Sequence, residues 1–164
     1  MLADAGFEVP LAPYRAQAIR TAGPAVPAFY DATADYYAGP HPRGLVAGDG
    51  AAPASVDDWD DRADGEVVER LVAHLEERLV NFDARVEADW GGLCTATPDR
   101  DPLLGEVEDG LYVAAGWHGS GFMRAPATGE AVAEQVLGGD GIPAFDPTRF
   151  DGDEAVPPPG AYRP

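Results

Sequence analysis

The chain has 164 residues, 45% of them hydrophobic, enough for a domain of ordinary size with a real core. No apolar run approaches the ~18 residues that a membrane span needs, and the single Cys94 cannot form an internal disulfide, which suits a reducing compartment. Asp and Glu number 29 against 11 basic residues, all arginine, giving a net charge of −18 spread along the chain; this argues against nucleic acid and for a halophile's surface, of haloarchaeal type, hydrated in high salt.

The opening MLADAGFEVP lacks the basic start and long apolar core of a signal peptide, so a cytoplasmic location is expected. Residues 1–60 predict a β-rich meander. Alternation over 14–22 puts Arg15, Gln17 and Ile19 on one face and Tyr14, Ala16 and Ala18 on the other, before Gly23-Pro24 and Pro27 interrupt it. Short strands at 35–37 and 44–47 are joined by the turn-rich Gly39-Pro40-His41-Pro42-Arg43. Tyr36 and Tyr37, adjacent on a strand, point to opposite faces.

Residues 51–63, rich in Ala, Pro and Asp, predict a solvated loop. A helix follows over 65–80. Val68, Leu71, Val72, Leu75 and Leu79 recur at helical spacing, with Glu66, Glu69, Arg70, Glu76, Glu77 and Arg78 opposite and Asp64 at the N-cap. Strands are expected near 84–89, 93–97 and 111–115. A second helix is expected over 126–137, where Pro126 suits the first turn and Gly138-Gly139 the end. Residues 140–164, rich in Pro, Gly and Asp, predict an extended tail. With one Cys and three scattered His, among them His41 in a loop and His74 on a helix surface, no metal site is expected.

The most informative stretch is 90–130. Its strand 111–115 is almost fully apolar, of the kind buried on both faces. Gly116, Gly119 and Gly121 then fall within six residues at a strand-to-helix junction. Glycine there permits positive φ and close approach of a flat ligand. The N–H groups of residues 120–123, unpaired at a helix start, can donate to an electron-rich ligand edge. Yet no GxGxxG follows any strand. The sequence holds half of a cofactor site.

The residues go further than that generic pattern. Thr95-Ala-Thr97-Pro98-Asp99-Arg-Asp-Pro102-Leu103-Leu104-Gly105, a spacer, and Gly116-Trp-His-Gly119-Ser-Gly121-Phe122-Met-Arg-Ala125-Pro126-Ala127-Thr-Gly129-Glu130 resemble the C-terminal part of the D-amino-acid-oxidase-like flavoproteins. That family includes glycine oxidase, monomeric sarcosine oxidase and related amine dehydrogenases. Upstream, Val9-Pro10-Leu11-Ala12-Pro13-Tyr14-Arg15-Ala-Gln17 resembles its PxxPxRxQ strand, and the Tyr36-Tyr37 segment resembles a substrate-domain strand.

The resemblance implies an α+β fold: an antiparallel or mixed substrate-domain sheet with helices, plus the C-terminal strand and helix that complete a Rossmann-like FAD-binding domain whose N-terminal part is absent. It assigns residues 1–90 to the substrate domain, 91–138 to the FAD domain and 139–164 to a tail. It also implies that Gly116, Trp117, His118, Gly119, Ser120, Gly121, Phe122 and Met123 approach the pyrimidine side of a non-covalently held FAD. Backbone donors and a helix dipole there stabilise negative charge on the reduced ring.

Departures narrow the substrate. Met123 stands where sarcosine oxidases carry a lysine. Gly92 stands at their flavin-attachment cysteine, with Cys94 two residues late. Thr97 and Gly119 stand where glycine oxidase has arginines for the substrate carboxylate. The candidate substrate residues are therefore Tyr36, Tyr37, Thr97 and Arg124, with Arg100 as a further cation and His118 as a weak candidate for proton transfer.

Two readings are open. One is a fragment of a flavin-dependent oxidoreductase acting on an amine or a sarcosine-, glycine- or D-amino-acid-like substrate, completed by a separate N-terminal FAD-binding chain. The other is a non-catalytic remnant that binds no cofactor by itself, whose unpartnered strand and helix expose an apolar patch.

Overall fold

A strand that buries residues on both of its faces organises the first part of the chain. β1 (Ala12–Thr21) keeps Tyr14, Gln17, Ala18, Ile19 and Thr21 out of solvent. The computed structural model describes residues 6–157 apart from 8, 25 and 152–153. These fall into two compact units, residues 14–93 and residues 94–157 with those up to 13.

In the unit of residues 14–93, β2 (Phe29–Asp31), β3 (Tyr36–His41), β4 (Gly44–Pro53) and β5 (Val86–Ala96) complete a sheet of order β2-β3-β4-β1-β5 among the described residues. β2/β3, β3/β4 and β4/β1 pair antiparallel. The β1/β4 register steps between Ala16 and Gln17, so Gly50 is an extra residue on β4. β4 thus runs to Pro53, six residues past the predicted strand end. Its alternating small residues (Gly44-Leu-Val-Ala-Gly-Asp-Gly-Ala-Ala-Pro53) carry a weak strand signal, and pairing with β1 overrides it.

Two predicted strands over 84–97 are one. Gly91 and Gly92 do not break β5, because Gly91 is a place of close approach. Its N–H donates to the Asp61 carbonyl at 2.7 Å, and a Cβ there would stand 2.8 Å from Arg15 Nε and from the Asp60 carbonyl.

α1 (Gly65–Arg78) lies within the predicted helix. Val67, Leu71 and Leu75, at i, i+4 and i+8, are its buried residues, and Val68, Val72 and Leu79 flank them. They pack on Ile19, Tyr36, Ala38, Leu45 and Ala47, and each fully buried leucine contributes about 1.5–3 kcal/mol. Asp64 is the N-cap residue, but its side chain does not cap. Its carboxylate accepts from Arg15 and Gln17, at 2.9 and 3.0 Å, while its carbonyl takes the Val67 and Val68 N–H groups. Asp49, buried under the same helix, is held by both arms of Arg70 at 2.8 and 3.1 Å.

In the other unit, β6 (Leu103–Glu108) and β7 (Leu111–Ala115) form an antiparallel hairpin closed at Gly110 (φ 77°). β6 gave no strand signal, since Leu103, Leu104 and Gly105 are buried in succession rather than alternately. A Cβ at Gly105 would stand 2.8 Å from the Gln135 side chain, so the glycine admits the next helix onto the hairpin.

β7 is not buried on both faces as its composition suggested. Val113 is buried and Ala114 exposed. α2 (Gly121–Val136) starts five residues before the predicted helix, placing Pro126 inside it. Gly138 (φ 93°) and Gly139 end it by donating to the Gln135 and Glu134 carbonyls at 2.9 and 2.8 Å.

The predicted extended tail is ordered over its first part: a 3-10 turn at Pro143–Phe145 leads to Arg149, which grips Asp99. Residues 158–164 of that tail lie outside the described residues. No described helix is long and apolar enough to cross a membrane, and among the described residues no group of His, Cys, Asp and Glu is placed to hold a metal ion.

Candidate functional site

β7 ends at Ala115, and the chain then passes through Gly116 (φ 80°), Trp117, His118 (φ 49°), Gly119 (φ 78°) and Ser120 into α2. Three left-handed residues in four turn the chain sharply. Two are glycines, for which that conformation is free, and the third is a histidine, for which it costs on the order of 1–3 kcal/mol unless held.

The end of β5 holds it. The Gly116 N–H donates to Thr95 Oγ1 at 3.1 Å, and the His118 N–H to the Thr95 carbonyl at 3.2 Å. The Thr97 N–H donates to His118 Nε2 at 2.9 Å. The Thr97 hydroxyl lies 2.9 Å from the same nitrogen and donates to the Asp101 carbonyl at 2.8 Å. A Cβ on Gly116 would fall well inside contact with Thr97 Cγ2, so loop and strand touch with no room between them.

The loop is shorter than the sequence reading made it. Gly121, Phe122 and Met123 are the first turn of α2, and Ser120 is its buried N-cap residue. The Ser120 N–H donates to the Trp117 carbonyl at 2.9 Å, and the Arg124 N–H to the Ser120 carbonyl at 3.1 Å. That removes residue 120 from the expected row of donors and leaves the N–H groups of Gly121, Phe122 and Met123 without intrahelical acceptors. Gly121 backs onto Trp117, whose ring a Cβ would meet at 3.3 Å. Beside these donors, Phe122 is 95% exposed and Met123 76%.

Because a fixed backbone N–H points at Nε2, that nitrogen carries the lone pair and the ring proton sits on Nδ1. Burial, then the Arg100 and Arg124 cations, hold the imidazole below its ordinary pKa, against the opposing pull of Asp99 and Asp101. His118 is therefore a neutral donor at pH 7, which weakens its candidacy as a base.

The other candidates separate by burial. Thr97 is fully enclosed. Tyr36, in the unit of residues 14–93, is a core residue: it stacks on His74 at 5.1 Å, meets Phe29 edge-on, and donates its hydroxyl to the His74 carbonyl at 3.3 Å. Tyr37 is half-exposed, its ring lying over Gly48 beside a shallow groove of roughly 410 Å³ lined by Phe29, Tyr30, Pro40 and Val46. Arg124 is half-buried on α2. Cys94 is a free, half-buried strand residue.

Sequence reasoning assigned no role to Thr95, Asp99 or Arg149, the residues on which the loop is built. The Thr-x-Thr-Pro-Asp spacing was visible, but its partner lies fifty residues away in sequence.

Known proteins share this fold. Residues 1–135 match the family described as FAD dependent oxidoreductase (DAO). Glycine oxidase of Bacillus licheniformis is 31% identical over 101 residues, covering 60% of this chain and 27% of that protein. The crystal structure of glycine oxidase from Geobacillus kaustophilus superposes with a TM-score of 0.76 at 27% identity, over 91% of this chain and 42% of that one. L-Proline dehydrogenase from P. horikoshii superposes with a TM-score of 0.74 at 27% identity, over 94% of this chain and 44% of that one. The chain, with its α+β fold of antiparallel sheets and two helices, thus spans about a quarter of the first of these relatives and under half of the solved chains it resembles. By the extent of that family match, the chain belongs to the FAD dependent oxidoreductase (DAO) family.

Proposed function

We propose that this chain is the flavin-facing part of an FAD-dependent oxidoreductase that oxidises the C–N bond of an amine or amino acid. The observation that carries the reading is the start of α2. Three N–H donors, the neutral Nδ1–H of His118 and the Arg124 cation stand beside exposed Phe122 and Met123. A pyrimidine edge needs such donors, and the flat ring beside it needs apolar cover. The residues present therefore fit an isoalloxazine. Gly116 and Gly119 would let the backbone come close, Trp117 and Ser120 set the turn, and the first turn of α2 would offer its N–H donors to the ring edge. Bound there, the flavin supplies a two-electron acceptor.

The substrate class is that of the relatives, a glycine-, sarcosine- or proline-like amine. Arg124 is the candidate to meet it, by pairing with a carboxylate; Tyr36 and Thr97 are committed to the interior, and Tyr37 is half-exposed in the unit of residues 14–93. A dinucleotide-binding portion, on a separate chain or a longer one, completes the site. It is supported by an open apolar face on α2, where Phe122, Pro126, Gly129, Ala133 and Val136 align at helical spacing and are all exposed. The acidic composition supports a salt-rich cytoplasm as the setting of this activity.

One feature favours the non-catalytic alternative: the sequence contains no GxGxxG to hold the pyrophosphate. The test is purification in molar salt followed by an FAD titration, read at the yellow flavin band. The chain alone is expected to stay colourless. Supplied with the N-terminal dinucleotide-binding half of a glycine oxidase, it should take up FAD and oxidise glycine or sarcosine. A complex that forms and still excludes FAD would refute the flavin reading and leave the alternative.

A further inference from the structure

We propose that Arg149 is a positioning residue for the candidate flavin loop: through the Asp101 carbonyl and Thr97 it fixes the His118 ring with Nε2 turned inward, leaving Nδ1–H as the donor the loop presents. The proposal rests on reading residues 116–123 as the flavin-facing loop.

The connection is a continuous run of short bonds. Arg149 grips the Asp99 carboxylate with Nε and Nη2, at 2.8 and 3.0 Å, and donates from Nη2 to the Asp101 carbonyl at 2.9 Å. Its Nη1 donates to the Asp146 carbonyl at 3.0 Å, and its guanidinium lies 4.4 Å above the Phe150 ring. The side chain is 15% exposed, so its fork is fixed from four directions.

What it holds is a turn that needs holding. Arg100 sits at φ 70°, and the Asp101 N–H donates to the Asp99 side chain at 3.0 Å. The Asp101 carbonyl is the shared acceptor: one lone pair takes Arg149 Nη2 and the other the Thr97 hydroxyl, at 2.8 Å. Thr97 is fully buried, and both its N–H and its hydroxyl lie 2.9 Å from His118 Nε2. With Arg149 in place, Thr97 has one position and the His118 ring one tautomer.

Without it, the turn at Arg100 relaxes, Thr97 follows the Asp101 carbonyl that holds its hydroxyl, and Nε2 loses its fixed donor, the Thr97 N–H. The charged groups that act on the ring are Arg100 and Arg124, which oppose its protonation, and Asp99 and Asp101, which favour it. Removing Arg149 frees the Asp99 carboxylate and strengthens the second pair.

The test reads the ring itself in the full chain. Nitrogen-15 NMR of the three histidines, with His118→Asn to assign the signal, gives tautomer and titration together. In the unaltered protein His118 should show a single Nδ1–H tautomer and titrate below the ordinary ~6.5. In Arg149→Ala the two tautomers should mix and the midpoint rise toward ~6.5, with Arg149→Lys between the two because it keeps charge but loses the fork. Should Arg149→Ala fail to fold, Asp99→Asn is expected to mix the tautomers in the same way while the midpoint falls, because the carboxylate that favours the protonated ring is gone.

A folded Arg149→Ala or Asp99→Asn in which His118 keeps its single tautomer overturns the proposal, as does an Nε2–H tautomer in the unaltered protein. A coupled His118 in an assembly that takes up no FAD keeps the positioning role and refutes the flavin reading alone.

Discussion

Gly116→Ala tests whether the loop is built on the end of β5. The substitution meets two separate obstacles. At φ 80° an alanine occupies the left-handed region, at about 1–2 kcal/mol. Its methyl also overlaps Thr97 Cγ2, a side chain with no exposed surface and its polar atoms committed on both sides, so it cannot swing away; overpacking of this kind costs about 1–3 kcal/mol. The sum, about 2–5 kcal/mol, is a large part of the ~5–15 kcal/mol that holds a domain together, and should lower the melting temperature by roughly 5–20 °C. Thermal and urea unfolding followed by circular dichroism in molar salt would measure it. Thr97→Ser separates the two parts, because it deletes Cγ2 and keeps the hydroxyl. The double-mutant cycle should return about 1–3 kcal/mol of coupling and leave the backbone cost in place. A Gly116→Ala protein within about 0.5 kcal/mol of the original, or a cycle with no coupling, would refute the loop-on-strand construction.

Further outcomes follow from single interactions. The imidazole pKa of His118 is lower folded than unfolded, so the unfolded chain binds more protons. The His118 contribution is therefore full above pH ~6.5 and declines as pH falls through the folded value; His118→Gln should flatten stability over that window. A lower window belongs to Asp99. Burial opposes its ionisation, but the Arg149 fork and the Asp101 N–H outweigh it, so the clasp should loosen only below the ordinary carboxylate range. Pro126→Ala should stabilise the chain by about 1–3 kcal/mol in a thermal melt, since it restores the helix bond to the Phe122 carbonyl; a destabilised variant would show that the proline shapes α2 for packing. Arg70→Met leaves the Asp49 carboxylate, 5% exposed, without its fork, and should destabilise by about 1–2 kcal/mol because the arginine end, at 45%, is screened by water. A change under about 0.5 kcal/mol would show that water replaces the guanidinium.

The sequence by itself determined what local chemistry can determine. The apolar stripe of α1 needs no partner to be read, because a helix face is set by spacing alone. The glycines at 116 and 119 announced a backbone in unusual φ, and both adopt it. The opposite faces of Tyr36 and Tyr37 followed from strand geometry, and the structure buries one and exposes the other.

Tertiary structure decided everything that depended on a distant group. Gly91 breaks nothing because Arg15 and the Asp60 carbonyl fill the space beside it, and Gly105 lies within a strand because Gln135 rests over it. Pro126 sits inside α2 because the helix begins at Gly121, and a helix interior can forgo one bond when the surrounding turns are held. The role of His118 was set furthest from home. Its tautomer depends on Thr97, Thr97 on Asp101, and Asp101 on Arg149, none of them its neighbour in sequence. Spacing can announce a turn, but a hydrogen bond between residues fifty positions apart exists only once the chain has folded.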